Sequence, residues 1–166
     1  MYMYQKEFVP TCTILGKSIV QLPGGTDENH PAYEHLKQSL AEKIRSIYDS
    51  GVHDFLCNCE YGVPMWAAEI VLALRTECPD IRLHVAVPYE DQAALWNETA
   101  RERYYAIHEA ANTVEILMGS LQTDVETTYR LAEQEMLRRS TVVLAVREPQ
   151  RTAENMGMTV LSLEKI

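Results

Sequence analysis

The chain has 166 residues, 46% hydrophobic and 23% charged, enough for one well-formed core and too few for two comfortable domains, so a single domain over residues 1–166 is expected. A net charge of -9 and a pI near 5.0 oppose binding to a nucleic-acid backbone, whose affinity comes mainly from Lys and Arg, so no nucleic-acid partner is expected. The first residues lack a basic start followed by an apolar core, no apolar run is long enough to span a bilayer, and Cys12, Cys57, Cys59 and Cys78 lack Cys-x-x-Cys spacing, so a cytoplasmic protein with reduced thiols is expected.

In chain order, Phe8 to Leu15 reads as a strand, followed by the polar turn Leu22-Pro23-Gly24-Gly25-Thr26-Asp27-Glu28-Asn29. Tyr33, Leu36, Leu40, Ile44 and Ile47 recur at helical spacing, with Gly51 as the stop. Asp54 to Cys59 is a second strand. Pro64 suits the first turn of the next helix, whose apolar residues Trp66, Ile70, Val71 and Leu74 belong to a set lying on nearly every face, which predicts deep burial. A third strand, Arg82 to Pro88, precedes a helix predicted from about Gln92 to Ala111, and a fourth strand covers Thr113 to Met118. Val125, Tyr129, Ala132 and Met136 mark a further helix, Thr141 to Val146 a fifth strand, and a short helical turn near Ala153 leads to a last strand, Met158 to Leu163.

Strands alternating with helices of this length predict an α/β fold: one Rossmann-like three-layer domain with a mostly parallel sheet and helices on both faces. Ligands in such sheets sit beyond the carboxyl ends of the strands, where strand order reverses. That nominates the loops after Leu15, Cys59, Val87 and Val146. The junction Cys57-Asn58-Cys59-Glu60-Tyr61-Gly62-Val63-Pro64 carries a strand through a glycine turn into a helix, whose first N–H groups attract phosphate. Glu60 in that turn opposes it: like charges about 4 Å apart interact by roughly 4 kcal/mol at an effective dielectric near 20. Lys17 in the facing loop offsets Glu60 or pairs with it and closes the site; both alternatives stand.

Several motifs carry less. Gly16-Lys17-Ser18 ends like a P-loop, but Thr11 stands where the first glycine is needed. Cys57, Cys59 and His53 lack the turn-type spacing and second ligand pair of a zinc site, so no metal and no cofactor is expected. His84 reads as a satisfied core residue and Arg101-Glu102-Arg103 as a solvated helix face. Trp66 and Glu69, three apart on one helix, can share a face. In one reading the indole stacks on a base while the carboxylate holds ribose or acts as acid or base; in the other Trp66 is core and Glu69 pairs locally. Tyr89 and Trp96 add aromatic surface or pack the helix onto the sheet.

Taken in order, Ile14-Leu15-Gly16, Gly62-Val63 with Trp66-Ala67-Ala68-Glu69, Pro88-Tyr89-Glu90-Asp91-Gln92 with Trp96, and Arg101-Glu102-Arg103-Tyr104-Tyr105 resemble the YpsA-like family. That family belongs to the SLOG superfamily, with DprA and the LOG phosphoribohydrolases. The resemblance runs from about Cys12 to Val146. It implies a Rossmann-like fold and a pocket for a nucleotide or a derivative such as an ADP-ribose or NAD-like compound, with no established reaction for this branch. The residues it brings to that pocket are Gly16, Lys17, Asn58, Glu60, Gly62, Val63, Trp66, Glu69, Pro88, Tyr89 and Trp96.

The chain departs from the family pattern at the phosphate cradle. Gly16-Lys17-Ser18 replaces Gly-His-Arg, Asn58 replaces a glycine, Pro64 replaces an acid, and the Gly-Gly-Thr loop expected after Val146 is missing from Arg147 to Gln150. Glu133, Gln134 and Arg138 stand where an Asn-Arg pair and a later Asp are expected. The expectation is therefore non-catalytic binding or sensing of a small nucleotide-derived molecule. The alternatives are an N-glycosidic-bond hydrolase using Glu69, or an interaction protein with a vestigial pocket that binds a partner or a second copy of itself as a homo-oligomer.

Overall fold

The apolar runs become the strands of one parallel sheet. A computed structural model of the chain describes residues 9–121, 123–146 and 151–163. Strand β1 (Thr11–Gly16) leads through a 3-10 turn (Ile19–Gln21) and a loop to helix α1 (Pro31–Asp49). Then follow β2 (Asp54–Cys57), α2 (Val63–Leu74), β3 (Arg82–Val87), α3 (Glu98–Ala110), β4 (Thr113–Ile116), α4 (Val125–Arg138), β5 (Val142–Val146), α5 (Arg151–Asn155) and β6 (Thr159–Ser162). The sheet order is β4-β3-β2-β1-β5-β6, with every neighbouring pair parallel.

Handedness explains which helix lies where. From β1 to β4 the chain steps one way across the sheet, so right-handed crossovers put α1, α2 and α3 on one face. It then returns past β1 to β5, which puts α4 and α5 on the other. The side chains record this: Cys12, Ile14, Phe55, Cys57, Leu83 and Val85 pack with α1, α2 and α3. Their strand neighbours Leu15, Leu56, Ala86, Val143 and Ala145 pack with Met136 and Leu137 of α4 and Ala153 of α5. The order reverses between β1 and β5, and the α2 start lies one strand away.

Helix α2 is as buried as its composition predicts: Val63, Pro64, Met65, Trp66, Ala67, Ala68 and Val71 are all buried. The helix expected from Gln92 starts instead at Glu98, because the Asn97 side chain accepts the Ala100 N–H at 2.8 Å and caps it there. Gln92 to Trp96 form tight turns, with Gln92 itself buried. The second strand stops at Cys57 rather than Cys59, since Cys59 takes a left-handed φ of 57°. Phe8, at the start of the first expected strand, lies outside the described residues. Among the described residues no helix is long and apolar enough to cross a membrane.

Candidate functional site

A cavity of about 590 Å³ opens at the carboxyl ends of β1 and β2, beside the point where strand order reverses. Gly16, Ser18 and Gln21 line it from the segment after β1, Asn58 and Glu60 from the loop after β2, and Val125, Glu126, Tyr129, Arg130 and Glu133 from α4. Its volume is in the range of small-molecule sites.

The β2–α2 loop is built by local hydrogen bonds. The Asn58 side chain accepts the Glu60 N–H at 2.9 Å, an Asx turn that a glycine at this position could not make. Two strands of loop then pair: the Ile19 N–H donates to Tyr61 O at 2.7 Å and the Val63 N–H to Lys17 O at 3.1 Å. Gly62 is the residue that permits this. Its φ is 131°, and a Cβ there would lie 2.6 Å from both Ile19 N and Lys17 O. The glycine serves backbone-to-backbone approach within the protein.

The same pairing settles the amides at the start of α2. Val63 N–H is taken by Lys17 O, Pro64 has none, Met65 N–H donates to Glu60 O at 3.0 Å, and Trp66 N–H to Gly62 O at 3.0 Å. The first turn of this helix therefore presents no open N–H to a phosphate, whatever charge stands nearby.

Behind the cavity lies a polar chain. Gln92 Nε2 donates to Asn58 O at 2.9 Å and to the Tyr129 hydroxyl at 3.0 Å, and the Tyr104 hydroxyl donates to Gln92 Oε1 at 3.1 Å. The Tyr129 hydroxyl faces the Glu60 carboxylate. Burial pushes the Glu60 carboxyl above its ordinary range, the Tyr129 hydrogen bond opposing in part. Burial and the facing Glu60 charge push the Tyr129 phenol up as well.

The residues nominated by the sequence separate into two groups. Gly16, Asn58 and Glu60 line the cavity. Val63 packs under it, against Gly16, where an added Cβ would come within 2.5 Å of the Val63 Cβ. Lys17 contributes its carbonyl to the loop pairing; its side chain is neither in the lining nor in an ion pair among the described residues, and the Lys17–Glu60 pairing is not formed. Tyr89 meets Tyr129 edge-on, with ring centroids 6.2 Å apart, and Pro88 is buried.

The expected aromatic wall is core instead. Trp66 is 1% exposed, its ring against Tyr33, and its indole N–H donates to Glu28 Oε1 at 2.9 Å. Trp96 is half-buried between Tyr61 and Tyr104. Glu69 accepts from Arg103 Nε at 2.8 Å and is not part of the lining. Arg103, read as part of a solvated face, joins Glu69 to Glu28.

The remaining motifs also find places. Cys57 and Cys59 are buried thiols, Cys57 pushed up to about 12 by burial and Cys59 also well above its ordinary range. His53 is at the far end of β2, its Nδ1 3.0 Å from Asp80. His84 bridges strands, between Asp54 and Thr113 at 2.7 Å each. The loop at Arg147 to Gln150 lies outside the described residues.

Of the α4 face the sequence singles out only Glu133, as a departure from the family pattern. Val125, Tyr129 and Glu133, with Glu126 and Arg130, fall at intervals of four, which places them together along one side of a helix. The signal in the sequence is this polar pattern around Tyr129. Turning it towards the β1 and β2 loops requires the crossover from β4 to β5.

A parallel sheet ordered 4-3-2-1-5-6, with a crevice beyond its carboxyl edge at the reversal, defines a Rossmann-like α/β protein. The family model YpsA, described as "YspA SLOG family", matches residues 20–164. The chain belongs to the YpsA family of SLOG proteins. A UPF0398 protein of Halalkalibacterium halodurans is 36% identical over 87 residues, 52% of this chain and 46% of that protein. UPF0398 proteins of Bacillus thuringiensis and Bacillus cereus are each 29% identical over 123 residues, 74% of this chain and 66% of theirs. The chain thus spans about half to two thirds of the length of these curated relatives.

Proposed function

We propose that this domain binds a small nucleotide-derived molecule in the cavity between the β1 and β2 loops and α4, without turning it over. The supporting observation is the cavity's position: about 590 Å³ of polar-lined space at the carboxyl ends of the strands, beside the strand-order reversal. Family membership supports the nucleotide-derived class, which includes ADP-ribose and NAD-like compounds. The reading without turnover draws support from Glu69, the carboxylate nominated for acid or base chemistry, which is paired with Arg103 outside the lining. A cytoplasmic setting belongs to the same proposal, supported by four free, buried cysteines.

The test is thermal unfolding with millimolar ADP-ribose, NAD, AMP and adenosine. Ligand at a hundred times its dissociation constant adds about 2.7 kcal/mol, a rise of roughly 5 to 10 °C for a chain of this size. The rise is expected to vanish in Gln21→Trp, which fills the cavity from an exposed position. No rise with any of the four overturns the proposal. It would favour the second reading, an interaction protein, which draws support from Trp66 and Trp96 packing inside the protein's own core.

A further inference from the structure

We propose that two copies of this chain associate weakly and reversibly about a two-fold axis, through antiparallel pairing of β4 with its own copy. This does not depend on what the cavity binds. Among the described residues β4 has one strand neighbour, β3. The register sets Val85 opposite Val114 and Val87 opposite Ile116, and in a parallel ladder a residue bonds to the two that flank its register partner. The Leu117 N–H donates to Val87 O at 2.8 Å, which fixes the phase of the ladder. Val85 is therefore met by Thr113 and Glu115, and the N–H and C=O groups of Val114 and Ile116 point outwards from the sheet edge. Their side chains are exposed, in register with the buried Val85 and Val87. Natural sheets guard such an edge with Pro, Lys or an unpaired charge. Here it is apolar, and its one charge, Glu115, is taken up by Arg139 through both carboxylate oxygens.

The edge fits a second copy of itself. Two outward-facing residues separated by one other pair fully with a strand of the same spacing run in the opposite direction: Val114 opposite the partner's Ile116, and Ile116 opposite the partner's Val114. Glu115 then lies on the axis, opposite the partner's Glu115. A two-fold axis requires antiparallel strands, so the pairing and the symmetry agree. The apolar side chains of both copies form one continuous row on one face of the joined sheet. On the other face each copy brings Glu115 and Glu135 together with Arg138 and Arg139, joined as one chain of ion pairs. A molecule of net charge -9 repels its copies overall, but at this edge the facing carboxylates arrive each with a guanidinium. A strand of Thr113–Ile116 makes a contact smaller than a stable interface, so the dilute chain keeps the edge open.

Sedimentation equilibrium of the full chain from about 10 μM to about 1 mM, a span that brackets weak contacts, tests this beside amide exchange at both ends of the range. The weight-average mass is expected to rise from 18.9 kDa towards twice that value. Exchange in β4 is expected to slow over the same range, and exchange in β6, the opposite edge, to stay as it is. Ile116→Lys, a change at an exposed position, is expected to hold the mass at one copy throughout while keeping the unfolding midpoint of the dilute parent. Arg139→Gln, which leaves the facing carboxylates without their guanidinium, is expected to weaken association at least about threefold, and more so at low salt. A mass that stays at 18.9 kDa overturns the inference, as does association that leaves β4 exchange unchanged or is undiminished in both variants. Slow β4 exchange in the dilute monomer also overturns it, since the chain would then cover the edge itself.

Discussion

Glu60 lines the cavity, and its carboxyl titrates above its ordinary range. Burial raises it, and the Tyr129 hydrogen bond recovers only part of that. A carboxyl raised in the folded state binds its proton more tightly than in the unfolded chain, so its contribution is fully present below the unfolded value near 4.3 and is lost as pH rises through the folded value. Ionised Glu60 therefore opposes folding at neutral pH. Glu60→Gln, which keeps the shape and a hydrogen-bonding partner for Tyr129, is expected to raise the unfolding midpoint at pH 7 by a few degrees, at about 2–4 °C per kcal/mol. At pH 4 the variant and parent should converge. A midpoint at pH 7 equal to or below the parent's would show that the charge is not under strain in the folded protein. That Glu60 is a carboxylate in a phosphate-type turn was legible in the sequence; that Tyr129 faces it was not, because residues 69 positions apart meet only after the chain has crossed the sheet. Trp66 was legible only as one of two alternatives, and its bond to Glu28, in a loop 38 positions earlier, decides between them.

At the scale of elements, Glu28 anchors the far part of the long connection between β1 and α1, whose near part pairs with the β2–α2 loop. Glu28 accepts from Trp66 of α2 and from Arg103 of α3, and its carboxylate lies 3.5 Å from Lys37 of α1. The loop that supplies Ser18 and Gln21 to the cavity is thereby tied to three helices. Burial alone would raise the Glu28 carboxyl, but hydrogen bonds from Arg103 and Trp66 and the charges of Arg103 and Lys37 bring it below its ordinary range. A depressed folded value gives stability that is present above the unfolded value near 4.3 and is lost as pH falls through the folded one. Glu28→Gln is expected to lower the midpoint at pH 7 and to make it fall less steeply between pH 5 and pH 3, as read by circular dichroism melts. An equally steep acid limb in the variant would place the acid sensitivity elsewhere. The elements themselves were largely legible, since hydrophobic spacing and Gly or Pro stops are local. The start of α3 was misread by six residues because Gln92 to Trp96 carry a helix-like composition, while the cap that begins the helix is the single side chain of Asn97.

At the scale of the molecule, β1 is enclosed by β2 and β5, while β4 and β6 form the two edges. All four residues of β4 are exposed, with Val114 and Ile116 at 42% and 51%. Amide hydrogen exchange should therefore be slowest in β1 and β5 and much faster in β4, since local opening frees an edge strand before the sheet separates. Protection in β4 matching that in β1 would mean that something, a second copy of the chain included, covers that edge in solution. Parallel order was legible from the alternation of strands and helices. The position of the reversal was not, because a crossover to the next strand and one that skips past β1 use connections of similar length and composition.

The paired loops behind Gly62 have a consequence for how such a domain can change its ligand. In a fold of this kind the shortest route to a phosphate site is to replace the acid in the turn with glycine, a single codon change. Here that change would remove a charge and leave every amide of the first α2 turn still occupied. A lineage or an engineer seeking phosphate recognition would have to alter the segment after β1 at the same time, and neither half of that double change confers the new specificity without the other. The stitched loops thus act as a historical ratchet, holding the site to whatever ligand does not need the helix end.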